Sequence, residues 1–357
     1  MAPSTLAPLT SRFAQRMPGA RPLQSYAVES AVVCDAEVEP MRRAVYPDAE
    51  LELITGVHEF SAGLEDELHL ATRDHVRHSE TIAWRLRDVY VSPGILCNYR
   101  SYKRLTHRQL RLAPAAINEI EDTVAFCSTD AGNDYFAHFL LDDACTALLG
   151  EEFGRVVFGG IDSERTPHAR HYLQAFSIAN NEVAAARFRD LWFFTDYPQN
   201  SHRRARLQSL RSRLTERYGD KPATAPVYLK RGSSGQLRLL ENEPELEALL
   251  SARGFDIIDP ERLSVAEICS RINGAPLVVG VEGSQLAHGV LNLRAGGSLL
   301  CIQPAARFNA VYRGFTNSTG LRWGFVVAEG SADRFYVSAD RLLETADRML
   351  ESEASVC

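Results

Sequence analysis

The sequence predicts an α/β protein of two Rossmann-type domains, with a β-rich segment at the front of the first. Three observations lead there. From residue 123 onward, short apolar runs alternate with segments of helical period, the pattern of a parallel, doubly wound sheet. The clearest unit is residues 276–303, PLVVGVEGSQLAHGVLNLRAGGSLLCIQ, whose valine-rich run at 277–281 suits a strand buried on both faces. At 357 residues the chain also exceeds one ordinary core, so two domains are expected.

Taken in order, residues 1–25 are rich in Pro, Ala and Ser and read as a flexible tail. Alternating runs at 31–34, 51–54, 81–86 and 89–91 predict a β-rich meander opening the first domain, residues 26–218. Residues 98–111 are locally basic, either a solvated connector, which is preferred, or a contact for acceptor or lipid phosphate. Strands are expected at 123–127, 155–158 and 191–194, with helices at 134–149 and 167–176. A long helix at 199–218 spreads Arg203, Arg204, Arg206, Arg211, Arg213 and Arg217 around its circumference. That favours a solvated face over a docking site for anionic lipid or glycan.

A linker-like stretch at 219–222 opens the second domain, 219–335. Strands follow at 227–230, 255–258, 277–281, 298–302 and 325–328. Helix 243–253 closes on Gly254, and helix 264–273 starts with a Ser264/Glu267 capping box. A C-terminal helix and tail occupy 336–357.

Composition narrows the function. With 45% apolar and 24% charged residues the chain is of globular type, and its net charge of −7 argues against nucleic acid as partner. Seven cysteines without a CxxC or a Cys/His cluster indicate neither structural zinc nor a disulfide framework, and Cys357 reads as a loose thiol. No run approaches the ~20 apolar residues of a membrane span, and the N-terminus lacks a signal-peptide core. The expectation is a cytoplasmic protein with at most peripheral contact at the inner face of a membrane. No G-x-G-x-x-G opens a βαβ unit and Ser284 lacks a G-x-S-x-G elbow, which disfavours a nicotinamide oxidoreductase and a serine hydrolase.

The turn at 282–284 faces the crevice where open α/β sheets bind ligands, and a helix starting there would favour the phosphates of a nucleotide sugar. Gly283 would let backbone approach the ligand, and Ser284 would act as N-cap or phosphate donor. His288 shares a helical stripe with Ser284, and is either a donor contact or a structural histidine. No Asp-x-Asp motif is present to bridge phosphates through a metal. The diphosphate would then fall to Arg231 and Arg238, on either side of a glycine-rich loop, since guanidinium forks suit phosphate oxygens. Asp134, His138 and Asp142 recur every four residues and could supply a general base, though the edge of an amphipathic helix looks the same. His138 and Asp142 are equal candidates.

Three segments, YLKRGSSGQLRLLENEPELEALL, GFDIIDPERLSVAEICSRINGAPLVVG and VGVEGSQLAHGVLN, resemble glycosyltransferase family 61 over residues 228–303. Arg231, Arg238 and Asn242 stand at the family's S-R, R-R and N-E positions, and YFAHFLLDD resembles its Y-x-H-W-L-L-D helix, with His138 and Asp142 in place. The chain departs from V-G-x-H-G-A-G-L-T-N, with Glu282 for His, Ser284 for Ala and His288 for Asn. Glu282 is read as an acceptor from ribose or sugar hydroxyls. The resemblance implies a GT-B-like fold and inverting, metal-independent hexosyl or pentosyl transfer from a nucleotide sugar. The acceptor would be a glycan or lipid-linked glycan in capsular or lipopolysaccharide synthesis, with no cofactor besides the donor. The alternative is a noncatalytic nucleotide-sugar or glycan-binding protein of the same fold.

Overall fold

The computed structural model describes residues 5–110, 117–160, 165–219, 222–232 and 235–354. Residues 220–221, 233–234 and Cys357, singled out above as linker, loop and tail, lie outside the described residues. The chain forms two α/β units, Met1–Glu37 with His78–Leu207, and Val38–Arg77 with Gln208–Cys357.

The expected single boundary near 218 therefore needs correcting. Val38–Arg77 is knit into the C-terminal unit: Val45 bridges to Gly324 and Val57 to Phe308, and Tyr46 stacks on Phe325 at 4.8 Å. The expected strand at 51–54 is instead a tight turn, Glu50–Leu53, which buries Glu50 so that its carboxylate accepts the Val327 N–H at 2.5 Å. Arg341 pairs with the same carboxylate at 2.6 Å.

In the first unit, Thr81–Ser92 pairs antiparallel with Glu29–Cys34, Ile95–Asn98 and Ala186–Thr195. Ala186–Thr195 then pairs in parallel with Asn118–Phe126, and Arg155–Gly159 continues the parallel half. The basic stretch after Asn98 folds back as the strand Ser101–Arg104. Nor are residues 5–25 a loose tail. Ala7–Ala14 is a helix with Ala7 fully buried, and Leu23 joins the core around Leu86, Val89 and Phe188.

Helix Ser201–Tyr218 corrects the reading of its arginines as a solvated face, because Arg203, Arg206 and Arg211 are buried. Arg206 grips Asp196 with two bonds of 2.7 and 2.8 Å, while Arg203 pairs with both Asp196 and Asp142. Thr146 donates to Asp196 at 2.7 Å. Burial would raise the Asp196 carboxyl, but the two guanidinium groups outweigh it and hold the pKa below the usual value. Asp196→Ala strands the buried Arg206 and takes one of two carboxylates from Arg203, so a loss of about 3–5 kcal/mol is expected, read as a lower urea midpoint. An unchanged midpoint would show that the cluster contributes nothing. Arg211, in the second unit, donates to the carbonyls of Val290 and Leu293.

The second unit is the more regular. Its parallel strands lie in the order Asp256–Ile258, Val227–Leu229, Leu277–Val281, Ser298–Pro304, Arg322–Gly330. Numbered in chain order this is 2-1-3-4-5, a doubly wound sheet whose direction of winding reverses between Val227–Leu229 and Leu277–Val281. The five residues of Leu277–Val281 are all buried, as its apolar run requires. The expected capping box at Ser264 and Glu267 forms, and Gly254 ends its helix at φ +82°. Helix Ala339–Ala354 buries Leu342, Ala346 and Met349 against the sheet. Asn242 fastens the Val337 backbone, donating to its carbonyl at 2.9 Å and accepting its N–H at 3.3 Å.

Candidate active site

The switch point of the second unit gathers the predicted donor residues. Arg231 follows Val227–Leu229 by two residues, and Glu282–Gly283 follow Leu277–Val281 directly. Arg238 donates to the Glu282 carboxylate at 2.6 Å, and both side chains are more than nine-tenths buried. Arg307, just past Ser298–Pro304, donates to the same oxygen at 3.0 Å. Arg231 lies alongside, donating to Gln285 Oε1 at 3.3 Å and to the Gln236 carbonyl at 2.8 Å. Gln236 also accepts from Arg307 at 3.2 Å.

Three guanidinium groups thus surround one carboxylate, a surplus of two positive charges among these four side chains. Burial, then the charge of Arg238, lowers Arg231 to about 10, and burial lowers Arg307 as well, yet both remain cations at neutral pH. His58 stands close by, pushed down to about 4 by burial and by Arg307 and Arg238, so its ring is neutral and adds no charge. The neighbouring Glu59 is exposed and accepts from Gln236 at 3.2 Å.

Several expected roles change here. Glu282 is an internal counter-ion of Arg238 and Arg307, not an open acceptor for sugar hydroxyls. The helix after Gly283 is one tight turn, Ser284–Leu286, followed by only Ala287–Asn292, too short for its dipole to anchor a phosphate. Gly283 occupies the N-cap position assigned to Ser284, which is partly exposed. His288 is 2% exposed, which favours the structural histidine of its two readings. Arg307 and His58 went unnoticed in the sequence. For Arg307, its place just past the carboxyl end of a parallel strand was a usable signal.

Gly283 has a specific use. A Cβ added there would collide with the Arg231 guanidinium, and the Tyr312 hydroxyl fixes the Gly283 carbonyl at 2.7 Å. The movable partner is the end of Arg231. Gly283→Ala is therefore expected to weaken anion binding about as much as loss of one charge-assisted bond, roughly tenfold or more, while the melting temperature stays close to wild type. Isothermal titration with a nucleoside diphosphate reads it, and wild-type affinity would contradict it.

In the first unit, Thr129 caps a short helix, Asp130–Asp134, by accepting the Gly132 N–H at 2.9 Å. Tyr135 then turns extended, and a new helix starts at Phe136. The expected continuous helix from 134 is thereby split, and Asp134 leaves the stripe. Its carboxylate instead accepts from Thr106 Oγ1 at 2.7 Å and the His107 N–H at 2.6 Å. The new helix widens by one residue across Phe139–Asp143, an irregularity frequent at functional sites.

That wider turn sends adjacent carboxylates to different partners. Asp142 meets His138 Nδ1 at 2.5 Å and is held from its other oxygen by the buried Arg203. Asp143 points inward to the Thr129 hydroxyl at 2.8 Å, and burial raises it to about 7. Burial alone would lower His138, but its hydrogen bond to Asp142 and the charges of Asp142 and Asp143 prevail, so its pKa is raised. His138 with 28% of its side chain exposed, oriented by Asp142, is a base–orienter pair.

Comparison with known families matches residues 136–299 to the family model described as Glycosyltransferase 61, which supports membership of that family. The match supports glycosyltransferase activity. The matched span includes His138, Asp142, Arg231, Arg238 and Glu282 and stops short of Arg307. No curated protein matches the chain. No helix among the described residues is long and apolar enough to cross a membrane.

Proposed function

We propose that this glycosyltransferase moves a sugar from a nucleotide-sugar donor to a glycan or lipid-linked glycan in surface polysaccharide synthesis, with inversion and without a metal. The observation behind it is the surplus of guanidinium charge around Glu282 at the switch point. As the glycosidic bond breaks, the leaving diphosphate gains negative charge. Fixed cations at that point stabilise the transition state more than the ground state. Each charge-assisted hydrogen bond contributes about 1.5–3 kcal/mol, more than a short helix start offers. His138, positioned by Asp142, removes the acceptor proton in this reading. The GT-B arrangement belongs to the same proposal.

A second reading, a binder without turnover, draws on Glu282, whose carboxylate occupies two of the arginines a donor would use. One screen separates them. Melting temperature measured against a panel of nucleotide sugars should rise for at least one donor, by mass action. Slow release of nucleoside diphosphate from that donor without acceptor marks the enzyme. Stabilisation with no release favours the binder, and no stabilisation by any donor rejects both.

A further inference from the structure

A cavity of about 240 Å³, lined by residues of the first unit, has no role so far. Its walls include Gln109, Asp134, Tyr135, Phe136 and Arg165, and it opens beside Gly160, just past the strand Arg155–Gly159. That is the carboxyl end of the unit's parallel strands, the end at which α/β sheets bind ligands. We propose that this cavity binds one neutral pyranose or pentose ring of the acceptor glycan, which deepens the glycosyl-transfer reading and rests on it.

Charge selects the ligand class. Among the described residues two cations line the cavity and both are matched: Arg108 Nε lies 3.5 Å from Asp134, and Arg165 Nε 3.3 Å from Glu182. Arg165 is further occupied by Asn133 Oδ1 at 3.1 Å and by the Phe139 ring, 3.9 Å from its guanidinium carbon. Among the described residues lining the cavity no surplus positive charge remains to attract phosphate, unlike the cluster around Glu282.

What the walls offer suits a polyol. Tyr135 and Phe136 are half-buried and present aromatic surface to the C–H face of a sugar ring. The carboxylate of Asp134 has lone pairs beyond those turned to Thr106, His107 and Arg108, and Gln109 adds an exposed amide. The volume falls below the roughly 300–1,000 Å³ of pockets for drug-sized ligands, which points to a single ring. The extended backbone at Tyr135 that removed Asp134 from the helix also sets the Tyr135 ring 6.1 Å from that of His138. Tyr135 is thereby a wall of the cavity that also flanks the proposed base.

Saturation-transfer NMR tests this with methyl glycosides of glucose, galactose, xylose and N-acetylglucosamine, at millimolar concentration because a single neutral ring binds weakly. At least one should receive saturation from the protein, with the signal lost in Tyr135→Ala, retained in Tyr135→Phe and weakened in Gln109→Ala. Gln109 is exposed, so its variant serves even if Tyr135→Ala fails to fold. No transfer to any glycoside, or full transfer in both alanine variants, overturns the assignment. The nucleotide-sugar melting shift reads the other reading independently. A shift without glycoside transfer rejects the cavity alone, and glycoside transfer without a shift rejects the donor site alone.

Discussion

Arg231→Ala should abolish the nucleotide-induced rise in melting temperature and reduce donor affinity by about 10- to 150-fold, the equivalent of 1.5–3 kcal/mol. Arg231 is the cleanest of the three because its hydrogen bonds go to the neutral acceptors Gln285 Oε1 and the Gln236 carbonyl. Removing it strands no carboxylate, and the unliganded protein should melt near the wild-type temperature. Arg238→Ala is expected to behave differently. It takes one of two guanidinium groups from buried Glu282, so the unliganded protein should also lose stability. Equal ligand shifts in wild type and Arg231→Ala would remove the diphosphate from this site.

The second large effect is expected at the base. His138→Ala should lower kcat by about 10²–10⁴-fold with little change in donor affinity. The pH profile gives a finer reading. A general base must be neutral to act, and His138 has a raised pKa, so kcat/KM should fall with acid below a midpoint above the ordinary value of 6.5. Asp142→Asn removes the hydrogen-bonded charge that raises it, so the acid limb should move to lower pH as the rate drops. A limb unchanged in Asp142→Asn would assign it to another group. Arg203 retains Asp196 in this variant, which limits the damage to the fold.

Much of this was legible in the sequence wherever the determining contacts are local. The valine run of Leu277–Val281, the capping box at Ser264 and the glycine at 254 each predicted their element, because burial on two faces, a cap and a left-handed φ are set within a few residues. Arg231, Arg238 and Glu282 were singled out and do converge. What failed depends on distant partners. The buried arginines of Ser201–Tyr218 passed for a solvated face because Asp142 is far upstream and Asp196 was given no role. Asp134 kept its spacing from His138 but lost its helix, since the loop at 106–107 offers its carboxylate better donors. The segment Val38–Arg77 joins the C-terminal unit through bonds such as Glu50 to Val327, which no periodicity reveals.

The account turns on where the leaving diphosphate is held and by what. A structure of the protein with a nucleoside diphosphate, grown with magnesium present, addresses that directly. The account predicts phosphate oxygens within hydrogen-bond distance of Arg231, Arg238 and Arg307, with Glu282 drawn back from at least one of them and no ion bridging phosphate to protein. Phosphates seated away from these arginines, or held to carboxylates through a magnesium ion, would contradict it.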